Sequence, residues 1–202
     1  MTVPSSYKAY LASVKLRDYV FSYVARPLAA LHVQPNFVSF FGVALAVAFF
    51  LVIPVQTKLA LLLLGSALLC DATDGALSRY KKTCSDRGKF VDVTCDNVVF
   101  ALFIIGLVSA GILNAMTALV FLFVTTLSKI FRIIWNSKYF ESDWKFKPVA
   151  GLVPNFFGYS SYGLFALFAL SSLNFFNQLL PLFSLILIID AAVFFYLIVT
   201  KL

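Results

Sequence analysis

The 202-residue sequence is poor in charge: Asp, Glu, Lys and Arg make up 12% of it, against 61% hydrophobic residues. So little polar surface cannot cover a globule in water, which excludes a soluble domain. Histidine occurs once and cysteine three times, as Cys70, Cys84 and Cys95, with no CxxC pair and no Cys/His cluster. Neither a zinc site nor a disulfide framework is therefore expected. A cleavable leader is not expected either, because the segment from Tyr7 to Arg26 mixes Lys8, Lys15, Arg17 and Asp18 into its apolar residues. Acidic residues are scarcer than basic ones, 9 against 16, for a net charge of +7. In a soluble domain that excess would suggest nucleic acid. Here the basic residues cluster between apolar segments, so they read as topology signals and no nucleic-acid partner is expected.

What the sequence has in abundance is long apolar runs. Pro27 to Thr57, Asn97 to Ser128 and Pro148 to Ile189 carry no Asp, Glu, Lys or Arg, and each exceeds the roughly 20 residues that cross a hydrocarbon core. The reading is an all-α integral membrane protein in which six transmembrane helices follow an amphipathic interfacial helix. Residues 1–33 form the surface segment and 34–202 the transmembrane domain that carries the chemistry. In residues 5–33, Tyr7, Tyr10, Leu11, Val14 and Phe21 recur at helical spacing, with Lys8, Lys15 and Ser22 on another face. The spans are expected near 37–55 (entered at Pro35-Asn36), 59–80, 88–112, 115–139, 152–173 and 180–200. Gly111 with Asn114 marks one turn, and Asn174 with Asn177 marks a break before the last span. In this arrangement all basic residues but Lys58 fall on one side. That asymmetry places both termini in the cytoplasm.

Five of the nine acidic residues lie between Asp71 and Asp96. A carboxylate in mid-membrane costs about 2.5–3.5 kcal/mol on insertion scales, so a cationic partner is required. Asp71 and Asp74 are spaced i,i+3 and Asp92 and Asp96 i,i+4, each pair on one helical face. A short loop makes the two helices antiparallel neighbours, so the four carboxylates converge at one depth. Hard oxygen donors without His or Cys suit Mg²⁺ or Mn²⁺, with Ca²⁺ also open, and a quartet can hold two ions about 3.5–4 Å apart. Gly75 and Gly88 let a ligand approach the backbone, and Arg79 offers a planar fork for phosphate oxygens. These are the parts of a phosphoryl-transfer site. Asp86, between the pairs, reads as a solvated charge.

The run Asp71-Ala72-Thr73-Asp74-Gly75-Ala76-Leu77-Ser78-Arg79, then Gly88, Asp92 and Asp96, resembles the CDP-alcohol phosphotransferase (CDP-alcohol phosphatidyltransferase) signature, D-x2-D-G-x2-A-R-x8-G-x3-D-x3-D. The one departure is Ser78 where the pattern has Ala. The resemblance implies an enzyme of phospholipid biosynthesis that transfers the phosphatidyl group from CDP-diacylglycerol to a small polar alcohol, with release of CMP. It also implies that Asp71, Asp74, Asp92 and Asp96 hold two metal ions, that Asp96 is the catalytic base, and that Asp71, Gly75, Ser78, Arg79 and Gly88 bind the CDP moiety. A homodimer is a further implication.

Lys129 and Arg132, spaced i,i+3, are candidate acceptor-binding residues and favour a phosphorylated acceptor such as glycerol phosphate or inositol phosphate. The lone His32 reads as an interfacial side chain. A bacterial or archaeal inner membrane, with the site facing the cytoplasm, fits the small size. The alternative functions are a divalent-cation transporter built on the same acidic cluster and a noncatalytic membrane scaffold, both disfavoured by Arg79 and the glycines.

Overall fold

A computed structural model of the protein describes residues 19–139 and 173–201. Among them every regular element is a helix: α1 (residues 19–30), α2 (Pro35–Val52), α3 (Thr57–Tyr80), α4 (Asp86–Ser109), α5 (Ala115–Tyr139) and α6 (Leu173–Lys201). Four of these are long and apolar enough to cross a membrane: α2, α3, α4 and, within α6, Phe183–Thr200. The apolar part of α5, Ala115–Phe131, is shorter. The protein is thus a helical integral membrane protein with four spans of full length among the described residues. The expected span at 152–173, apart from its last residue, and the first part of the surface helix lie outside those residues.

One expectation is corrected. No break occurs at Asn174 and Asn177, because α6 runs unbroken from Leu173 with Pro181 inside it. Asparagine costs a helix only about 0.7 kcal/mol against alanine, and a proline within a membrane helix is tolerated where neighbouring groups take up the freed carbonyl.

The chain forms two compact units, Met1–Gly106 and Leu107–Leu202. In the first, α2 starts at Pro35, whose missing amide hydrogen costs nothing at a helix start. It buries Val38, Ser39, Gly42, Ala46 and Phe49, one face at helical spacing. Small residues there bring backbones close: a Cβ on Gly42 would stand 3.1 Å from the Cys70 Cβ of α3, as expected where packing drives helix association. Phe49 packs on Phe103 of α4 at a ring separation of 6.0 Å and fills the space where a Gly106 side chain would be. The outer face of α2 exposes Phe37, Phe40, Phe41 and Leu51, an apolar surface suited to lipid. In the second unit α5 buries Ala118, Phe121, Val124 and Ser128, and α6 buries Leu180, Ser184, Leu187, Ala191 and Phe194. Phe131 and Phe195 join the two helices at 5.7 Å.

Helix α1 docks through Phe21, Ala25, Leu28 and Ala29 on a cluster with Val38, Ala76 and Leu77, while Tyr19, Val20, Tyr23 and Val24 stay exposed. It ends where His32 takes φ 56°, with Val33 N–H bonded to Leu28 O at 3.0 Å and His32 N–H to Ala29 O at 3.1 Å. This is a Schellman cap. His32 is exposed, in keeping with its interfacial reading.

Candidate active site

The loop of residues 81–85 joins the end of α3 to the start of α4 and sets the site's geometry. Lys82 has φ 53°, and the bonds Thr83 N–H to Ser78 O (3.0 Å) and Lys82 N–H to Arg79 O (3.2 Å) close α3 with a second Schellman cap. Ser85 then caps α4, its Oγ accepting from Gly88 N–H at 3.1 Å. Lys81 reaches back to the α1–α2 junction, donating from Nζ to Val33 O at 3.1 Å. The last turns of α3 and the first turns of α4 are thereby held beside the start of α2.

On this frame Asp71, Asp74 and Asp92 come together, one carboxylate oxygen from each lying within 4.8 Å of the others. Asp74 is buried, and Asp71 and Asp92 are half-buried. Such an all-oxygen set of three carboxylates fits a hard divalent cation, whose charge would offset their mutual repulsion at this range. Asp96, four residues beyond Asp92 on α4, is half-buried and stands outside this group of three.

The carboxylates of Asp74 and Asp92 open into a cavity of about 930 Å³, also lined by Gly75, Ser78, Arg79 and Gly88. The remaining wall comes from the start of α2 (Pro35, Asn36, Ser39) and from the loop with the first turn of α4, including Lys81, Cys84, Arg87 and Lys89. The cavity therefore carries two kinds of charge, with Asp74 the most buried of its charged groups and Asp86, Arg87 and Lys89 exposed. A space of this size with fixed positive and negative groups suits a phosphorylated ligand accompanied by a cation. Gly75 matters for Arg79, because a Cβ there would stand 3.3 Å from the guanidinium Nη1. Gly88 matters for the cap, because a Cβ would stand 3.2 Å from Ser85 Oγ.

Sequence reasoning did not place Ser39, Lys81, Cys84, Arg87 or Lys89 at the site, all of which line the cavity. Ser39, in the middle of an apolar run, donates its hydroxyl to Oδ2 of Asp74 across 35 positions. The hydroxyl of Ser78, the departure from the signature, is directed at Cys84 Sγ at 3.4 Å, a contact alanine could not make. Asp86, read as solvated, is exposed and borders the cavity. Lys129 is half-buried on α5 in the second unit, and the Arg132 side chain lies outside the described part.

No curated protein and no solved structure matches the chain. The CDP-alcohol phosphatidyltransferase family model matches it over residues 32–199, which include all the helices from α2 onward except the last residues of α6. The chain thus belongs to the CDP-alcohol phosphatidyltransferase family, membrane-embedded transferases that generally use Mg²⁺ or Mn²⁺.

Proposed function

We propose that the protein transfers the phosphatidyl group of CDP-diacylglycerol to a small polar alcohol and releases CMP. One observation carries this reading: the wall of a single cavity includes Asp74 and Asp92 together with Arg79, Lys81, Arg87 and Lys89, with glycines at two points. A bare cation path would need only the acids. A pyrophosphate ester with its counter-ions needs both signs of charge.

Asp71, Asp74 and Asp92 would hold divalent metal, with Asp96 as the fourth member proposed for a two-ion site. Bound there, the metal supplies charge neutralisation for the pyrophosphate and the departing CMP. Arg79 grips phosphate oxygens through its fork. Gly75 and Gly88 keep the wall low, and Ser78 borders the nucleotide. The acceptor oxygen forms a bond to the phosphorus that carries the diacylglycerol group, the bond from that phosphorus to the CMP oxygen breaks, and Asp96 takes the acceptor's hydroxyl proton. Lys129 and Arg132 would bind the anionic group of a phosphorylated acceptor, since their spacing puts both on one face of α5.

The test is CMP release by the purified protein in detergent, with CDP-diacylglycerol and a panel of free and phosphorylated alcohols. Release is expected only with Mg²⁺ or Mn²⁺ present, is abolished by a chelator, and falls by about 10²–10³-fold in Asp74→Asn, on the scale of a lost preorganised electrostatic group. CMP release that survives chelation, or no release with any acceptor, would overturn the reading.

A further inference from the structure

We propose that Ser39 is a positioning residue that orients Asp74 as a cation ligand from outside the signature segment. The inference rests on reading Asp71, Asp74 and Asp92 as a cation-holding set, and it assigns a role to α2 that the acidic cluster alone does not contain.

A hydroxyl in a membrane helix ordinarily bonds back to the carbonyl four residues earlier in its own helix. In this chain Ser66 does so to Leu62 O at 2.8 Å, Thr73 to Leu69 O at 2.7 Å, Thr94 to Phe90 O at 2.7 Å, Thr126 to Leu122 O at 2.8 Å and Ser184 to Leu180 O at 3.0 Å. Ser39 departs from this habit. Its Oγ stands 3.4 Å from Pro35 O, and its short contact is to Asp74 Oδ2 on the neighbouring helix. A hydroxyl has one hydrogen to give, so the geometry assigns it to the carboxylate.

Both partners are buried, Ser39 at 6% and Asp74 at 4% exposure, and both lie in the wall of the cavity, so the bond sits between packed helices at the edge of the site. A carboxylate held at one oxygen cannot rotate freely, and its second oxygen is presented in a fixed direction. Hydrogen-bonded partners behind ligating carboxylates set ligand orientation in this way, and their loss typically costs roughly 10–100-fold in metal affinity or activity. Ser39 also sits one helical turn from Pro35, so the entry point of α2 fixes its height against α3.

The experiment measures Mn²⁺ affinity by electron paramagnetic resonance of free Mn²⁺ over the full-length protein in detergent, without nucleotide. Ser39→Ala is expected to raise the Mn²⁺ Kd by about 10–100-fold, and Ser39→Thr, which keeps the hydroxyl, to restore it. In turnover assays the Mn²⁺ concentration for half-maximal rate should rise by the same factor, with kcat recovering at saturating metal. If Ser39→Ala does not fold, Ser39→Cys, close in shape but a weak donor, is expected to show the loss. Native-like affinity in Ser39→Ala, no rescue by Ser39→Thr, or no Mn²⁺ binding by the unaltered protein would each overturn the proposal. If Mn²⁺ binding weakens as expected but no CMP is ever formed, the transferase reading fails and the role of Ser39 stands. If metal-dependent CMP release occurs but Ser39→Ala changes no metal parameter, the positioning role fails alone.

Discussion

Arg79 and Gly75 show how one absent methyl group can set the reach of a side chain. Arg79 lies one turn after Gly75 on α3, and its Nη1 occupies space that a Cβ would press on at 3.3 Å. Replacing glycine in a helix interior by alanine ordinarily stabilises by about 0.5–1 kcal/mol. In Gly75→Ala the guanidinium must also shift by a few tenths of an ångström, and a hydrogen bond to a charged group is worth roughly 1.5–3 kcal/mol. The two effects have opposite signs. Gly75→Ala is therefore expected to raise the thermal midpoint while lowering kcat/KM for the CDP-linked donor by roughly ten- to hundredfold. Melting curves read beside donor kinetics check both halves, and a loss of both stability and activity would show that the glycine serves packing instead. At this scale three members of the expected acidic quartet were legible from the sequence, since Asp71, Asp74 and Asp92 come together, whereas the i,i+4 spacing of Asp92 and Asp96 does not bring Asp96 into that group. Ser39 was not legible, because its partner lies 35 positions away and nothing in its apolar surroundings distinguishes it from a packing serine.

Helix ends govern the arrangement of the elements. α1, α3 and α4 all finish in the same cap, with His32 at φ 56°, Lys82 at φ 53° and Gly111 at φ 68° in the left-handed position. Only Gly111 announced itself in the sequence, since glycine and a following asparagine are turn signals in their own right. The other two follow from tertiary packing: Leu28 and Val33, on either side of the first cap, both lie on the cluster around Val38 and Leu77, and the second cap is tied down by Lys81. The left-handed conformation costs an ordinary residue about 1–2 kcal/mol. Lys82→Gly is thus expected to stabilise the protein by about 1 kcal/mol, while Lys82→Ala, which loses the charge and keeps the strain, should not. Thermal denaturation of the pair in one detergent separates backbone strain from charge. The spans were legible from apolar length. The continuity of α6 past Asn174 and Asn177 was not, because the weak helix preference of asparagine, about 0.7 kcal/mol against alanine, does not by itself end a helix.

For the molecule as a whole, the distribution of basic residues and the geometry of α3 make one claim about orientation. α3 has 24 residues, which at 1.5 Å per residue is about 36 Å, enough to cross a hydrocarbon core of about 30 Å. Lys58 stands at its start and Arg79, Lys81 and Lys82 at and just past its end. If basic residues mark the cytoplasmic loops here as they generally do, the 81–85 loop, and with it the cavity, is expected on the cytoplasmic face. Cysteine chemistry can read this directly, because Cys84 is exposed in that loop while Cys70 is half-buried and Cys95 buried, both within helices. A membrane-impermeant maleimide should label the unaltered protein in inside-out vesicles and leave it unlabelled in right-side-out ones. Lys58→Cys combined with Cys84→Ser should give the reverse. Labelling of both positions from one side would mean that α3 does not span. Since Cys84 also borders the cavity, CDP-diacylglycerol with Mn²⁺ should slow its modification and leave that of Lys58→Cys unchanged, tying the cytoplasmic face to the donor site in one measurement.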